Sequence, residues 1–194
     1  MRRNSAYDHG QADHSASRVG NMAESAVLKG RAVLDQLAGA LSGPRPKGVT
    51  KTKLRAAAEE ELWAIAWYEG YTSGKWLVQC PEASVDEAWA SIAAAVEDGQ
   101  LGSAAKVATQ ALHGGHTACI YMERFDDIEG VRQVYETLKG LGLGPGPNSF
   151  KLDLWTVLGI YKGNAWGLPV SVFTPKTLYS EEQAERIRRA CGRR

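Results

Sequence analysis

The stretch FKLDLWTVLGIY, Phe150 to Tyr161, alternates in a way that few architectures accommodate. Phe150, Leu152, Leu154, Leu158 and Ile160 share one parity, while Lys151, Asp153, Trp155, Val157 and Tyr161 share the other. Successive side chains of a strand point to opposite faces, so one face is committed to a core and the other presents a cation, an anion and an indole. A strand of this kind belongs in a sheet covered on one side only.

The remaining segments read as partners for such a strand. Lys75 to Cys80, KWLVQC, is a strand with Lys75, Leu77 and Gln79 on one face and Trp76, Val78 and Cys80 on the other. Leu101 to Gln110 and Thr117 to Met122 read as a hairpin across the HGGH turn, with Lys106 opposite in parity to Ala105 and Val107. The aromatic-rich segment ELWAIAWYEG, ending at Gly70, fits a helix end or a strand and is read as a strand, and GLPVSVF, Gly167 to Phe173, as a last short one. Between them lie helices. Ser84 and Glu87 form a capping-box pattern ahead of Val85, Ala88, Trp89, Ile92, Ala93 and Val96, and Asp126 or Asp127 opens a helix through Val131, Val134, Tyr135 and Leu138. Ser180 and Gln183 repeat the capping pattern for a C-terminal helix through Ala184, Ile187 and Cys191. The order predicts an α+β fold, a mainly antiparallel sheet with helices packed on one face and the opposite face open for a ligand.

Charge divides the chain. Residues 1–55 hold ten Lys or Arg against four Asp or Glu, residues 56–185 eight against eighteen, and residues 186–194 five arginines and no acid, which leaves the net charge at +1. An acidic body attracts a cationic small molecule, whereas basic ends suit a phosphate backbone; charged tails also serve solubility alone. Residues 1–22 are polar and aperiodic and are expected to be a disordered tail. Residues 23–55 are expected to hold a helix, with Val27, Leu28, Val33, Leu34, Leu37 and Leu41 near one stripe, and a basic linker, RPKGVTKTKLR. Residues 56–194 form a single domain on this reading. The most apolar windows are interrupted within ten residues, which predicts no membrane span, and no apolar segment follows Arg2 and Arg3 as in a secretory signal. Three cysteines without framework spacing point to a reducing, cytoplasmic setting.

The chemistry-bearing residues concentrate on the polar parity of the strands. If Lys75, Lys106 and Lys151 face the same way, three ammonium groups, the Asp153 carboxylate and the Trp155 indole converge. Such a group holds a phosphate or carboxylate through its lysines, an amine or guanidinium through Asp153 and a flat ring through Trp155. The alternative is a solvated face with cross-strand ion pairs. Lys106, Lys151 and Asp153 are the catalytic candidates; Lys75, Trp155, Tyr161, Asn164 and Trp166 are the substrate-binding ones. Trp76 and Trp89 are read as core. His113, His116 and Cys119 lie three apart, but a structural zinc site needs a second ligand cluster and none exists, so no metal and no cofactor is assigned. GLGLGPG follows a helix and enters a strand, the reverse of a phosphate loop.

Four blocks in order, GKWLVQC, VDEAWASIAAAVEDGQLGSAAKVAT, ACIYMERFDDIEGVRQVYETLKGLGL and FKLDLWTVLGIYKGNAWG, resemble the basophilic-leukaemia-expressed protein family from about Gly74 to Phe173. That family is similar in fold to the cap-binding translation initiation factor, which implies a curved antiparallel sheet and a nucleotide or RNA-end site on its concave face. The tryptophan pair of the cap site does not carry over residue by residue. The resemblance further implies likeness to fungal arginine-containing cyclodipeptide synthases, which join amino acids taken from aminoacyl-tRNA in secondary metabolism, and some members carry a phosphothreonine-lyase label. The expected function is accordingly an aminoacyl-tRNA-dependent peptide-bond-forming transferase, with tRNA as partner and a cationic amino acid against Asp153. The alternatives are a non-catalytic nucleotide or RNA-end binding module, and a phosphothreonine lyase drawing a base from Lys106 or Lys151, an acid from His113 or His116 and a phosphate ligand from Arg124.

Overall fold

The computed structural model describes residues 10–111, 114–143 and 146–192, with side chains from residue 23. Four strands, β1 (Gly74–Pro81), β2 (Ala104–Val107), β3 (Gly115–Met122) and β4 (Pro147–Leu152), form one antiparallel sheet in the order β2-β3-β1-β4. Among the described residues six α-helices accompany it: α1 (Gly10–Ser42), α2 (Lys51–Tyr68), α3 (Val85–Glu97), α4 (Ile128–Gly140), α5 (Asp153–Val157) and α6 (Glu181–Ala190).

The alternation in β1 sorts as its residue types require. Trp76, Val78 and Cys80 are buried, and on neighbouring strands Ala118, Ile120, Phe150 and Leu152 join them. Trp76 donates its indole N–H to the Val131 carbonyl of α4 (3.1 Å) and packs its ring 5.2 Å from Tyr135, so α4 covers this face. Ile92, Ala88 and Ala95 give α3 its buried stripe. The α+β reading and the helix-covered face thus hold, as do the hairpin of β2 and β3 and the helices from Ile128 and Glu181. Asp127 and Ser180 cap those two helices by accepting from the backbone N–H groups of Gly130 and Gln183. Ser84 makes no such bond; a 3-10 turn (Glu82–Ser84) leads into α3 instead.

Several expectations are corrected. ELWAIAWYEG is the end of α2, not a strand: Leu62, Trp63 and Ala66 bury one helical face, because an i, i+4 spacing outweighs aromatic β-propensity. Lys51–Arg55 belongs to the same helix and is no linker; Thr50 caps it by accepting from the Lys53 N–H. Residues 10–21 lie in α1, where a disordered tail was expected, while residues 1–9 lie outside the described residues. Ala26, Val33, Leu34 and Leu37 carry α1 into the common core, and an added Cβ at Gly30 would come within 2.8 Å of Leu158, so helix and α5 segment are in close contact. Gly167 to Phe173 is not a strand. It meets the sheet at one bridge, where Phe150 and Phe173 pair and the Val172 N–H donates to the Phe150 carbonyl (2.8 Å).

The largest correction concerns FKLDLWTVLGIY. β4 ends at Leu152, because its partner β1 begins opposite it at Gly74 and no ladder continues beyond. The Asp153 N–H donates to the Ser73 carbonyl (2.9 Å) and the chain turns into α5, which stops at Gly159 with φ 75°, a conformation glycine adopts without cost. No helix among the described residues is long and apolar enough to cross a membrane.

Candidate functional site

The parity of β1, β3 and β4 carries the polar residues to the face opposite α4. Lys75 stands directly between Tyr121 of β3 and Lys151 of β4, and the next row aligns Lys106, Cys119, Leu77 and Ser149. Over this face the chain returns after α5, and together they enclose a cavity of about 370 Å³. Lys75 and Leu77 enter it from β1, Lys106 from β2, Ser149 and Lys151 from β4 and Thr156 from α5; Tyr161, Lys162, Val170 and Ser171 complete the wall.

Within the cavity each charge has a distinct situation. Lys75 donates to Asp153 Oδ1 at 2.5 Å, and Ser73 donates its hydroxyl to Asp153 Oδ2 at 2.8 Å. Both carboxylate oxygens are therefore engaged from within the chain. Lys75 and Lys106 approach the Tyr121 ring at 5.2 and 5.4 Å, and the Tyr121 hydroxyl raises the pKa of the Lys106 ammonium. Lys151 is only 6 % exposed and rests 3.5 Å from the centre of the Tyr161 ring. Burial, and then the Lys75 charge, lower its pKa to about 8, with Asp153 opposing them. The Thr156 hydroxyl is buried without a hydrogen-bond partner. Four ammonium groups with one already-paired carboxylate leave the cavity positive, although the body of the chain is acidic. It suits an anion.

The structure thus brings together Lys75, Lys106, Lys151, Asp153 and Tyr161. It separates the other three candidates from them. Trp155 is 1 % exposed and donates its indole N–H to the Pro169 carbonyl (3.0 Å), because the helical turn of α5 rotates it from the expected open face into the core. Asn164 organises its own loop, donating to the Tyr161 and Leu168 carbonyls and accepting from the Leu168 N–H. Trp166 packs partly buried against the core while its carbonyl accepts from Arg55 Nε at 2.7 Å. Sequence reasoning missed Thr156, since strand parity assigns it to the core, and Lys162, whose neighbour Tyr161 was the available signal.

Other groups do not join the site. His116 and Cys119 lie on opposite faces of β3, as residues three apart on a strand must, and His113 lies outside the described residues. His116 Nδ1 contacts the Ala108 carbonyl at 2.6 Å. Arg124 chelates Asp126. A second cleft of about 660 Å³ is lined by residues that include Glu69, Tyr71, Ser73 and Glu123, so the Ser73–Asp153–Lys75 chain stands between an acidic cleft and the basic cavity. Glu69 is paired with Lys29 at 2.5 Å.

A family model described as basophilic leukemia-expressed protein Bles03 matches residues 44–159, more than half of the chain and every strand of the sheet.

Proposed function

The chain belongs to the Bles03 family, and from that membership we propose that its open-face cavity is the substrate site of an acyl-transfer enzyme that consumes an aminoacyl ester, such as that of aminoacyl-tRNA, and forms a peptide bond. The observation that carries this reading is Lys151, a buried amine with a pKa near 8 in a cavity rich in cations. An aminoacyl ester is already activated, so the protein must position two reactants, accept a proton and hold developing negative charge. Neutral Lys151 accepts the proton of the attacking α-amine, Lys75 and Lys106 face the carbonyl oxygen as it becomes an oxyanion, and the resulting Lys151 ammonium returns the proton to the departing ribose oxygen. Asp153 takes a different part from the one expected: with both oxygens engaged, it fixes Lys75 and does not receive a guanidinium. A cationic side chain has the Glu69 and Glu123 cleft on the other side of that chain of contacts.

The basic segment supports an RNA-linked substrate. Arg45, Lys47, Lys51 and Lys53 are exposed around the turn between α1 and α2, and Arg55 in the same helix reaches the loop that follows Lys162. Incubating the chain with pairs of aminoacyl-tRNAs, arginyl-tRNA among them, and analysing by mass spectrometry should give a cyclic dipeptide. Lys151→Met should lower the rate by about 100-fold or more, the ordinary contribution of a positioned base. Absence of product with every second aminoacyl-tRNA overturns the proposal.

The ring of ammonium groups also favours a second reading, a non-catalytic site for a nucleotide or RNA end. It predicts saturable nucleotide binding without turnover, lost equally in Lys75→Met and Lys106→Met. The lyase reading has less support, since among the described residues neither His116 nor Arg124 lines the cavity, and His113 lies outside them.

A further inference from the structure

Lys151 has no hydrogen-bond or ion-pair partner among the described residues, although it is more than nine-tenths buried. Its surroundings are those of a nucleophile. The carboxylate nearest in sequence, Asp153, is held by Lys75 and Ser73. Lys75 is its direct cross-strand neighbour, and Lys106 and Lys162 line the same cavity. Tyr161 covers the amine with its ring, and Thr156, whose hydroxyl is buried and unpartnered, lines the same cavity. Desolvation and a neighbouring cation both disfavour an ammonium there, which leaves a lone pair on Nζ available to an electrophile.

We infer that Lys151 condenses with a small carbonyl compound that carries a carboxylate or phosphate, its anion seated among Lys75, Lys106 and Lys162 and its carbonyl carbon at Lys151 Nζ. The Nζ lone pair forms the C–N bond while the carbonyl π pair moves to oxygen, which takes a proton as nitrogen releases one. The nitrogen lone pair then expels that oxygen with a further proton as water, leaving a protonated imine. The net change consumes one amine, one carbonyl and one solvent proton and yields an iminium and water. The ligand's anion offsets the iminium charge beside Lys75. This goes beyond the acyl-transfer reading, in which Lys151 only carries a proton, and it stands without it.

Reductive trapping on the full chain tests the inference. Glyoxylate or pyruvate in one arm, and pyridoxal 5′-phosphate in the other, are incubated with the protein and sodium cyanoborohydride, and the product is examined by intact mass and peptide mapping. In at least one arm the expected result is a single adduct per chain, mapped to Lys151, half-maximal near pH 8 and suppressed by inorganic phosphate. The arm that saturates at lower concentration identifies the anion. Lys151→Arg should abolish the adduct, and Lys75→Met, which removes the neighbouring cation, should slow trapping several-fold at pH 7. Thermal melts of Lys151→Arg and Lys151→Met identify a folded variant for the comparison. Label spread over exposed lysines such as Lys47, Lys51 and Lys53 without preference for Lys151, an undiminished adduct in Lys151→Arg, or none in either arm overturns the inference. A Lys151 adduct without dipeptide product would overturn the acyl-transfer reading alone, and product without the adduct would overturn this one alone.

Discussion

At the scale of single residues, burying Lys151 costs stability, and both proposals made above draw on the amine so placed. Its folded pKa, about 8, lies below the ordinary lysine value of 10.5, so between those pH values the folded protein holds fewer protons than the unfolded chain. Its contribution to stability therefore improves as pH rises through that window, and the penalty applies in full below pH 8. Lys151→Met should unfold at higher urea than the wild type at pH 7, and this advantage should shrink steadily toward pH 10.5. An advantage independent of pH would contradict the assignment. The residue was legible because Lys151 precedes Leu152 and follows Phe150 in strict alternation, and that parity survives folding. Trp155 was not legible from the same alternation. Where a strand loses its partner is decided by β1 starting at Gly74, a fact of pairing that no local pattern encodes.

At the scale of elements, α2 and α6 are clamped by charges that a core seldom admits. Glu59 is 5 % exposed and accepts from Arg186 Nη2 at 2.9 Å, Glu60 accepts from Arg186 Nε at 2.7 Å, and the guanidinium also lies 5.1 Å from the Trp63 ring. Burial raises the Glu59 pKa against the pull of Arg186, so the pair depends on both partners. Arg186→Ala should destabilise the protein by about 3–5 kcal/mol, because it strands a buried carboxylate, whereas Arg186→Met with Glu59→Met together should cost far less. Denaturant unfolding of the two variants checks this, and equal losses would deny the coupling. The five arginines of residues 186–194 were expected to form a basic end, suited to a phosphate backbone or to solubility alone. Two short ion pairs from Arg186, to Glu59 and Glu60, instead engage part of that charge inside the fold, and Arg188 reaches the exposed Glu181 of its own helix at 3.7 Å. Element existence was readable wherever caps and periodicity agreed, as in α4 and α6. It was misread in α2, where Trp63, Trp67 and Tyr68 favour either a helix or a strand by composition and only burial against α1 and α6 decides.

At the scale of the whole molecule, segregation of charge survives in a narrower form. The exposed basic corner is Arg45 to Lys53, and the cavity is a separate basic region within an acidic body. If the substrate arrives on RNA, the corner should act through counterion release. Replacing Lys47, Lys51 and Lys53 by alanine should reduce the slope of log affinity against log salt by roughly two to three, with little change in nucleotide binding at the cavity. A slope unchanged by the triple substitution would place the RNA contact elsewhere.

The strand order leaves β2 as an edge of only four residues, while the bridge between Phe150 and Phe173 shields part of β4 at the other edge. An unpaired edge is a template for another chain, and a lysine on it discourages such pairing. Lys106 is therefore suited to colloidal behaviour as well as to the ligand binding proposed for it, and the residue that charges the cavity also discourages neighbouring molecules from extending the sheet.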